Sequence, residues 1–173
     1  MRKIVKNFLH INSLINLSAS KLPNENIAVK KLNPPNPSLN KFLYKQIGSK
    51  YYWFDRLSWS EKQWKEYVFK KNLFTYVMYV NNETAGFFEL FYDINKNEAE
   101  IVYLGILKEF FGKKLGGYIL SEAIKISWSF KINRVWVHTC SLDHHNALNN
   151  YLSRGMKIYK TETIYRDIPD CKD

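Results

Sequence analysis

The stretch that decides the fold is residues 100–128, EIVYLGILKEFFGKKLGGYILSEAIKISW. It opens with the apolar run of a buried strand and closes with the spacing of an amphipathic helix. The glycine-bearing turn between them brings backbone N–H groups and the positive end of the helix dipole to one point. Lys113 and Lys114 stand at that helix start, where the dipole disfavours cations and a bound phosphate would relieve the conflict. The turn is therefore predicted to cradle a phosphate.

Composition limits the class of protein. The chain has 173 residues, 46% hydrophobic and 16% aromatic, which suits one domain with a substantial core. A net charge of +10 is compatible with nucleic acid or with anionic cofactors as partners, but it comes mainly from scattered lysines, which argues against nucleic-acid binding. Cys140 and Cys171 make no disulfide framework, and no apolar run is long enough to span a membrane. We expect a cytoplasmic protein, monomeric or homodimeric, with no membrane segment.

Capping signals locate the helices. Pro37 suits a first helical position, and that helix should end at Gly48. Ser60 and Gln63 form a capping-box pattern that starts a second helix. The further helices are predicted over about 113–130 and from a cap at Asp143 to Gly155.

Strand-like patterns fill the remaining chain. An antiparallel meander is followed by a right-handed βαβ unit with parallel strands, so the predicted fold class is mixed α/β (α+β). The predicted strand segments are 1–17, 27–32, 73–80, 85–92, 98–107, 134–139 and 156–165.

The order strand, turn, helix, strand, helix, strand, with these residues, resembles the GNAT superfamily of acyl-CoA-dependent N-acyltransferases. Its signature, Gln/Arg-x-x-Gly-x-Gly/Ala, holds the coenzyme A pyrophosphate with backbone amides at a helix start. The matching residues are 111–116, FGKKLG. Gly116 agrees, whereas Phe111 replaces Gln or Arg and Lys114 replaces the middle glycine.

Further stretches strengthen the resemblance. AEIVY at 99–103 is similar to the strand of histone-acetylating members, and 147–156 is similar to the Ala-x-x-x-Tyr-x-x-x-Gly-Phe element, with Met in place of Phe. FLY at 42–44, W-x-DR-x-x-W at 53–59 and HTCSLDH at 138–144 look like a bacterial GNAT branch of undefined substrate.

The resemblance implies an acetyl-CoA-dependent N-acetyltransferase that acts on a primary amine by direct attack. In one domain over 1–173, the segments 1–32, 33–72 and 73–168 would be N-terminal strands, substrate-side helices and an acyl-CoA-binding core with a splayed strand pair. Glu100 would be the general base and Tyr151 the acid. The cofactor-binding residues would be Leu104, Gly105, Ile106, Phe111, Gly112, Lys113, Lys114, Leu115, Gly116, Gly117, His144, Asn146 and Asn149.

The aromatic segment 51–59 is the candidate wall of the acceptor site. Its rings could hold a cationic small-molecule or peptide amine, with Asp55 as the counter-ion. The predicted substrate-binding residues are Trp53, Asp55, Arg56 and Trp59. Burial of these rings against the sheet explains the same segment equally well.

Alternatives stand beside the other assignments. Glu98 shares a strand face with Glu100 and competes for the role of base, and Tyr151 could simply pack beside its helix neighbours. Adjacent residues on a helix point about 100° apart, so His144 and His145 chelate poorly and no metal is predicted. A non-catalytic coenzyme A-binding sensor or scaffold, and an acetyltransferase for a protein amine or a nucleic-acid-associated amine, are the alternative functions.

Overall fold

A computed structural model describes residues 1–23 and 26–168. These residues form a seven-stranded mixed sheet flanked by helices on both faces. The strands are β1 (Arg2–Ile11), β2 (Ile27–Lys31), β3 (Leu73–Val80), β4 (Glu83–Asp93), β5 (Glu98–Ile106), β6 (Arg134–Cys140) and β7 (Lys157–Arg166). The α-helices are α1 (Pro37–Gly48), α2 (Glu61–Val68), α3 (Leu115–Trp128) and α4 (Ala147–Ser153).

The predicted capping signals for α1 and α2 are present. The Asn36 side chain accepts a hydrogen bond from the Leu39 N–H at 3.0 Å, just before Pro37 begins α1. Ser60 and Gln63 make both bonds of the capping box at α2. The predicted cap at Asp143 is wrong, because α4 begins after Asn146, without a side-chain cap.

The sheet has the order β2-β3-β4-β5-β6-β1-β7. The strands β5 and β6 are parallel and pair only over three positions, from Glu98 opposite Arg134 to Glu100 opposite Trp136. The register of β4 against β5 shifts at Val102, which has no partner of its own. Beyond this bulge β5 and β6 separate, so the predicted splayed strand pair is confirmed.

The strand β1 lies between β6 and β7 and is antiparallel to both. The sequence predicted a strand in this segment but not its place in the sheet. Strands that pair with segments so far away along the chain have no local sequence pattern that identifies their partners. As a result, Lys6 of β1 is paired with Cys140 on one side and Glu162 on the other.

The two faces of the sheet are covered differently. The helix α3 buries Ile119, Leu120 and Ile124 against the central strands, in the main core. On the opposite face α1 contributes Leu43 and Ile47 to a smaller core. A Cβ on Gly105 would lie 2.4 Å from the Ile47 side chain, so the close approach of α1 to β5 requires a glycine at this position.

Candidate active site

A cavity of about 1100 Å³ follows the gap between the separating ends of β5 and β6. It is larger than the roughly 300–1,000 Å³ of a typical ligand site, so it has room for an extended cofactor and a second molecule. We call the part lined by the turn 111–114, α3 and α4 the cofactor end. We call the part lined by the loop 51–55, β1, β7 and the end of β6 the acceptor end.

The turn at the cofactor end has two left-handed residues. Gly112 has a φ of +81°, and Lys114, the residue that precedes α3, has a φ of +58°. No side chain caps the helix that follows. Left-handed residues leading into an uncapped helix create a concave group of N–H donors, which is a common anion site. The predicted phosphate cradle therefore has the required backbone geometry.

Two residues that the sequence analysis missed complete the cofactor end. The Asn150 side chain donates a hydrogen bond to the Gly116 carbonyl at 3.0 Å, which ties α4 to the first turn of α3. The Arg154 guanidinium lies so close to Gly117 that a Cβ there would be 2.3 Å from Nη1. Its Nε is buried without a partner among the described residues. An unpaired cationic donor beside an anion-binding turn fits the diphosphate of coenzyme A.

Most of the predicted cofactor-binding residues line this cavity. The exception is Lys113, whose ammonium lies 5.6 Å from the centroid of the Phe110 ring. Those that line it are Leu104, Gly105, Ile106, Phe111, Gly112, Lys114, Leu115, Gly116, Gly117, His144, Asn146 and Asn149.

The His144 ring connects the two ends of the cavity. Its centroid lies 5.7 Å from that of Tyr51 and 5.8 Å from that of Phe111. Its Nδ1 accepts a hydrogen bond from the Asn146 N–H at 3.1 Å. Burial and the neighbouring His145 lower the pKa of His144, so the ring is neutral near pH 7. The residue therefore contributes an edge of the wall rather than a positive charge.

Tyr151 is buried and lines the cavity, as its proposed role requires. Burial, and then the negative charge of Asp143, raise the pKa of its hydroxyl. Asp143 also lines the cavity. Its Oδ2 accepts hydrogen bonds from the Thr139 hydroxyl at 2.6 Å and from the Cys140 N–H at 2.8 Å. The tyrosine is thus held protonated beside a fixed carboxylate.

The two glutamates of β5 have different surroundings. The Glu98 carboxylate is bound by Arg134, whose Nε and Nη2 lie 2.9 and 2.8 Å from Oε2. Glu100 is half-buried on the same strand face and does not line the cavity. Burial raises the pKa of Glu100, and the positive charges of Lys6 and Arg56 lower it in part. Between the two, Glu100 is the carboxylate that no arginine binds directly.

The aromatic segment 51–59 divides into two parts. Trp53 and Asp55 line the cavity, as predicted. Arg56 and Trp59 do not line it. Arg56 is buried in a polar cluster, and its guanidinium carbon lies 5.0 Å from the centroid of the partly buried Trp59 ring. There the Arg56 Nη1 lies 3.2 and 3.0 Å from the two carboxylate oxygens of Glu89. In the sequence, an aromatic or charged residue of this segment looks the same whether it lines the cavity or packs in the cluster. The sequence analysis therefore could not separate the two parts.

Several cavity residues at the acceptor end were not among the predicted site residues. They come from β1, from the end of β6 and from β7, which meet only in the folded sheet. These residues are Ile4, Lys6, His138, Cys140, Leu142, Asp143, Ile164 and Arg166.

No helix among residues 1–23 and 26–168 is long and apolar enough to cross a membrane. No curated protein matches the chain. Solved structures of low sequence identity share its fold. A functionally unknown conserved protein from Staphylococcus epidermidis has 16% identity and a TM-score of 0.61, over 94% of this chain and 60% of its own.

Two further structures have assigned activities. A GCN5-related N-acetyltransferase from Sphaerobacter thermophilus has 13% identity and a TM-score of 0.67, over 92% of this chain and 50% of its own. The ribosomal-protein-S18-alanine N-acetyltransferase from Escherichia coli has 15% identity and a TM-score of 0.58, over 75% of this chain and 76% of its own. The chain thus spans only about half to three-fifths of the length of the first two relatives.

A family model decides the classification. The model of the acetyltransferase (GNAT) family matches residues 39–156, which is more than half of the chain. The match includes the turn, α3, the splayed strands and α4. The chain therefore belongs to the GNAT acetyltransferase family.

Proposed function

We propose that this protein is an acetyl-CoA-dependent N-acetyltransferase that acts on a primary amine in a ternary complex. One observation carries the proposal. A single cavity joins an anion-binding turn, a pair of separated parallel strands and a buried tyrosine. The turn suits the diphosphate, the gap suits an extended arm, and the tyrosine lines the same cavity.

Acetyl-CoA, when bound, supplies a thioester whose C–S bond breaks as the bond to nitrogen forms. The backbone at the Val102 bulge, freed from its ladder, is the proposed source of an N–H that polarises the acetyl oxygen. Tyr151 is the proposed donor of the proton that the departing sulfur needs. Its raised pKa keeps that proton on the hydroxyl near neutral pH.

Glu100 is the proposed acceptor of a proton from the acceptor nitrogen. Glu100 does not line the cavity, so we propose that a water carries the proton to it. Its burial-raised pKa makes it more basic than an exposed glutamate. The engagement of Glu98 by Arg134 supports Glu100 over this rival.

The acceptor is proposed to be a small-molecule or peptide amine. The acceptor end combines the rings of Tyr51, Tyr52, Trp53 and Phe54 with the carboxylate of Asp55, which suits a cationic amine. The E. coli relative that acts on a ribosomal-protein alanine makes a peptide N-terminus a reasonable first candidate. We also propose a cytoplasmic location and action of residues 1–173 as a single unit.

The test has two stages. Calorimetric titration with coenzyme A should give saturable binding, and an amine and peptide panel should give amine-dependent release of coenzyme A from acetyl-CoA. Glu100→Gln should reduce turnover about tenfold or more without weakening coenzyme A binding. Binding without turnover by any amine would favour the second candidate, a coenzyme A sensor. The absence of Glu100 from the cavity lining is the observation that favours this candidate. Absence of binding to folded protein would reject both.

A further inference from the structure

We propose that Asp143 takes the first proton from the ammonium form of the acceptor amine. The inference rests on the proposed function, because it requires an amine in the cavity. A primary ammonium loses two protons on its way to an amide. One leaves before nitrogen can attack, and the other leaves after the new bond has formed. Glu100, which does not line the cavity, is the proposed acceptor for the second, so the first needs an acceptor that lines the cavity.

The geometry of Asp143 suits a direct contact with the acceptor. Both of its closest hydrogen bonds, from the Thr139 hydroxyl at 2.6 Å and the Cys140 N–H at 2.8 Å, end on Oδ2. These bonds fix the carboxylate in one orientation at the end of β6. Oδ1 takes neither of them, and the residue lines the cavity. A carboxylate that is fixed in one orientation and lines the cavity is a well-prepared proton acceptor.

Four titratable side chains beside Asp143 are neutral near pH 7, those of Tyr51, Cys140, His144 and Tyr151. Burial and the charge of Asp143 raise the pKa values of the Tyr51 hydroxyl, the Cys140 thiol and the Tyr151 hydroxyl. The neighbouring His144 has a lowered pKa. Asp143 therefore has no cationic partner among these neighbours, and an incoming ammonium would be its first opposite charge.

Burial also raises the pKa of the Asp143 carboxyl, although the Thr139 hydroxyl, the Cys140 N–H and the Trp53 indole lower it in part. The net direction makes Asp143 a stronger base than an exposed aspartate. Position favours it further, since Asp143 lines the cavity and Glu100 does not. Asp55, which lines the cavity from the aromatic segment 51–59, is exposed.

The proposed step is a single proton transfer. An N–H bond of the ammonium breaks, its electron pair stays on nitrogen as the attacking lone pair, and an O–H bond forms at Oδ1 of Asp143. The proton later leaves to water, which restores the carboxylate. No other reactant is consumed in this step.

The test compares Asp143→Asn with Glu100→Gln from about pH 6 to about pH 10, using the best amine of the panel and chromatographic measurement of released coenzyme A. Asp143→Asn should lower kcat/KM for the amine about a hundredfold at neutral pH. The loss should shrink to about threefold above the pKa of the amine, which then arrives without its first proton. The loss in Glu100→Gln should not shrink. Glu66→Gln, which removes the charge of an exposed side chain on α2, is the matched control.

If Asp143→Asn does not lower kcat/KM, or lowers it by the same factor at every pH, the inference is overturned while the proposed function stands. Wild-type protein that releases no coenzyme A with any amine overturns both. If Asp143→Asn does not fold, an NMR pH titration of the Cys140 amide in wild-type protein replaces it. This N–H donates to Oδ2, so its chemical shift follows the ionisation of Asp143. A midpoint above that of an exposed aspartate is expected, and a midpoint at or below it overturns the inference.

Discussion

The two ends of the cavity offer their proposed ligands different kinds of binding group. At the cofactor end, the binding groups are mainly backbone N–H donors of one continuous segment, supported by Asn150 and Arg154 from α4. At the acceptor end they are side chains from four separate parts of the chain. The cofactor end lies inside the family match at 39–156, whereas β1 and β7 lie outside it. The family match therefore covers the whole of the proposed cofactor end but only part of the proposed acceptor end.

The largest expected effect lies where the two ends meet. Tyr151→Phe keeps the buried ring and removes only the hydroxyl, so binding of acetyl-CoA should be unchanged. Without the proton donor, kcat should fall about a hundredfold or more. Single-turnover rates and a calorimetric dissociation constant measure the two quantities separately. Unchanged turnover would reduce Tyr151 to a packing residue.

The second prediction concerns the support behind the acceptor end. Arg56→Met leaves the buried Glu89 carboxylate without its ion-pair partner, which should lower the free energy of unfolding by about 3–5 kcal/mol. Urea unfolding at neutral pH measures the loss. The affinity of the folded fraction for coenzyme A should not change, because Arg56 does not line the cavity.

The double variant Arg56→Met, Glu89→Leu is the control for this prediction. It removes both charges and should recover much of the lost stability. A loss below about 1 kcal/mol in the single variant would mean that water reaches Glu89 and that the cluster is not sealed from the cavity.

The third prediction concerns the cofactor end. Gly117→Ala places a methyl group where the Arg154 guanidinium lies, so this flexible side chain must move away from the first turn of α3. Coenzyme A should bind about tenfold more weakly, the size of one lost charge-assisted hydrogen bond. The helix itself should be slightly more stable, since alanine is the better helix former.

Arg154→Met should weaken coenzyme A binding by the same factor, and the double variant with Gly117→Ala should add nothing further. Additive losses would show that Gly117 matters for the backbone of the cradle itself rather than for the position of the guanidinium.

The smallest effect concerns the stability contribution of Glu100. Because burial raises its pKa in the folded state, any stability that Glu100 contributes is present below its unfolded pKa and lost as the pH rises through the folded pKa. Glu100→Gln should therefore melt at a higher temperature than wild type near pH 7. The difference should disappear below the usual titration range of glutamate. A variant less stable at neutral pH would show that the Lys6 and Arg56 charges outweigh burial.

The cofactor end was predictable because its signals are local. A turn that needs positive φ angles, as at Gly112, leads into an amphipathic helix, and both features are readable within a few residues. The splayed strands followed from the resemblance to a known family.

The acceptor end was only partly predictable. Trp53 and Asp55 were found, but Arg56 carries the same kind of signal and is buried on Glu89 instead. Asp143 was interpreted as a helix cap because its spacing suits one, whereas its carboxylate turns back to Thr139. Such choices depend on which segments meet across the sheet, and that information is distributed over the whole chain.

The place of β1 in the sheet has a consequence for how the molecule is assembled. Its ladders join residues near position 6 to residues near 140 and 162, and such distant pairings carry a large loop-closure cost and form slowly. The segment near position 6 must wait for the segment near position 162, which is translated later, before it has neighbours on both edges. A nascent or partly folded chain therefore forms the proposed cofactor end before the proposed acceptor end is complete.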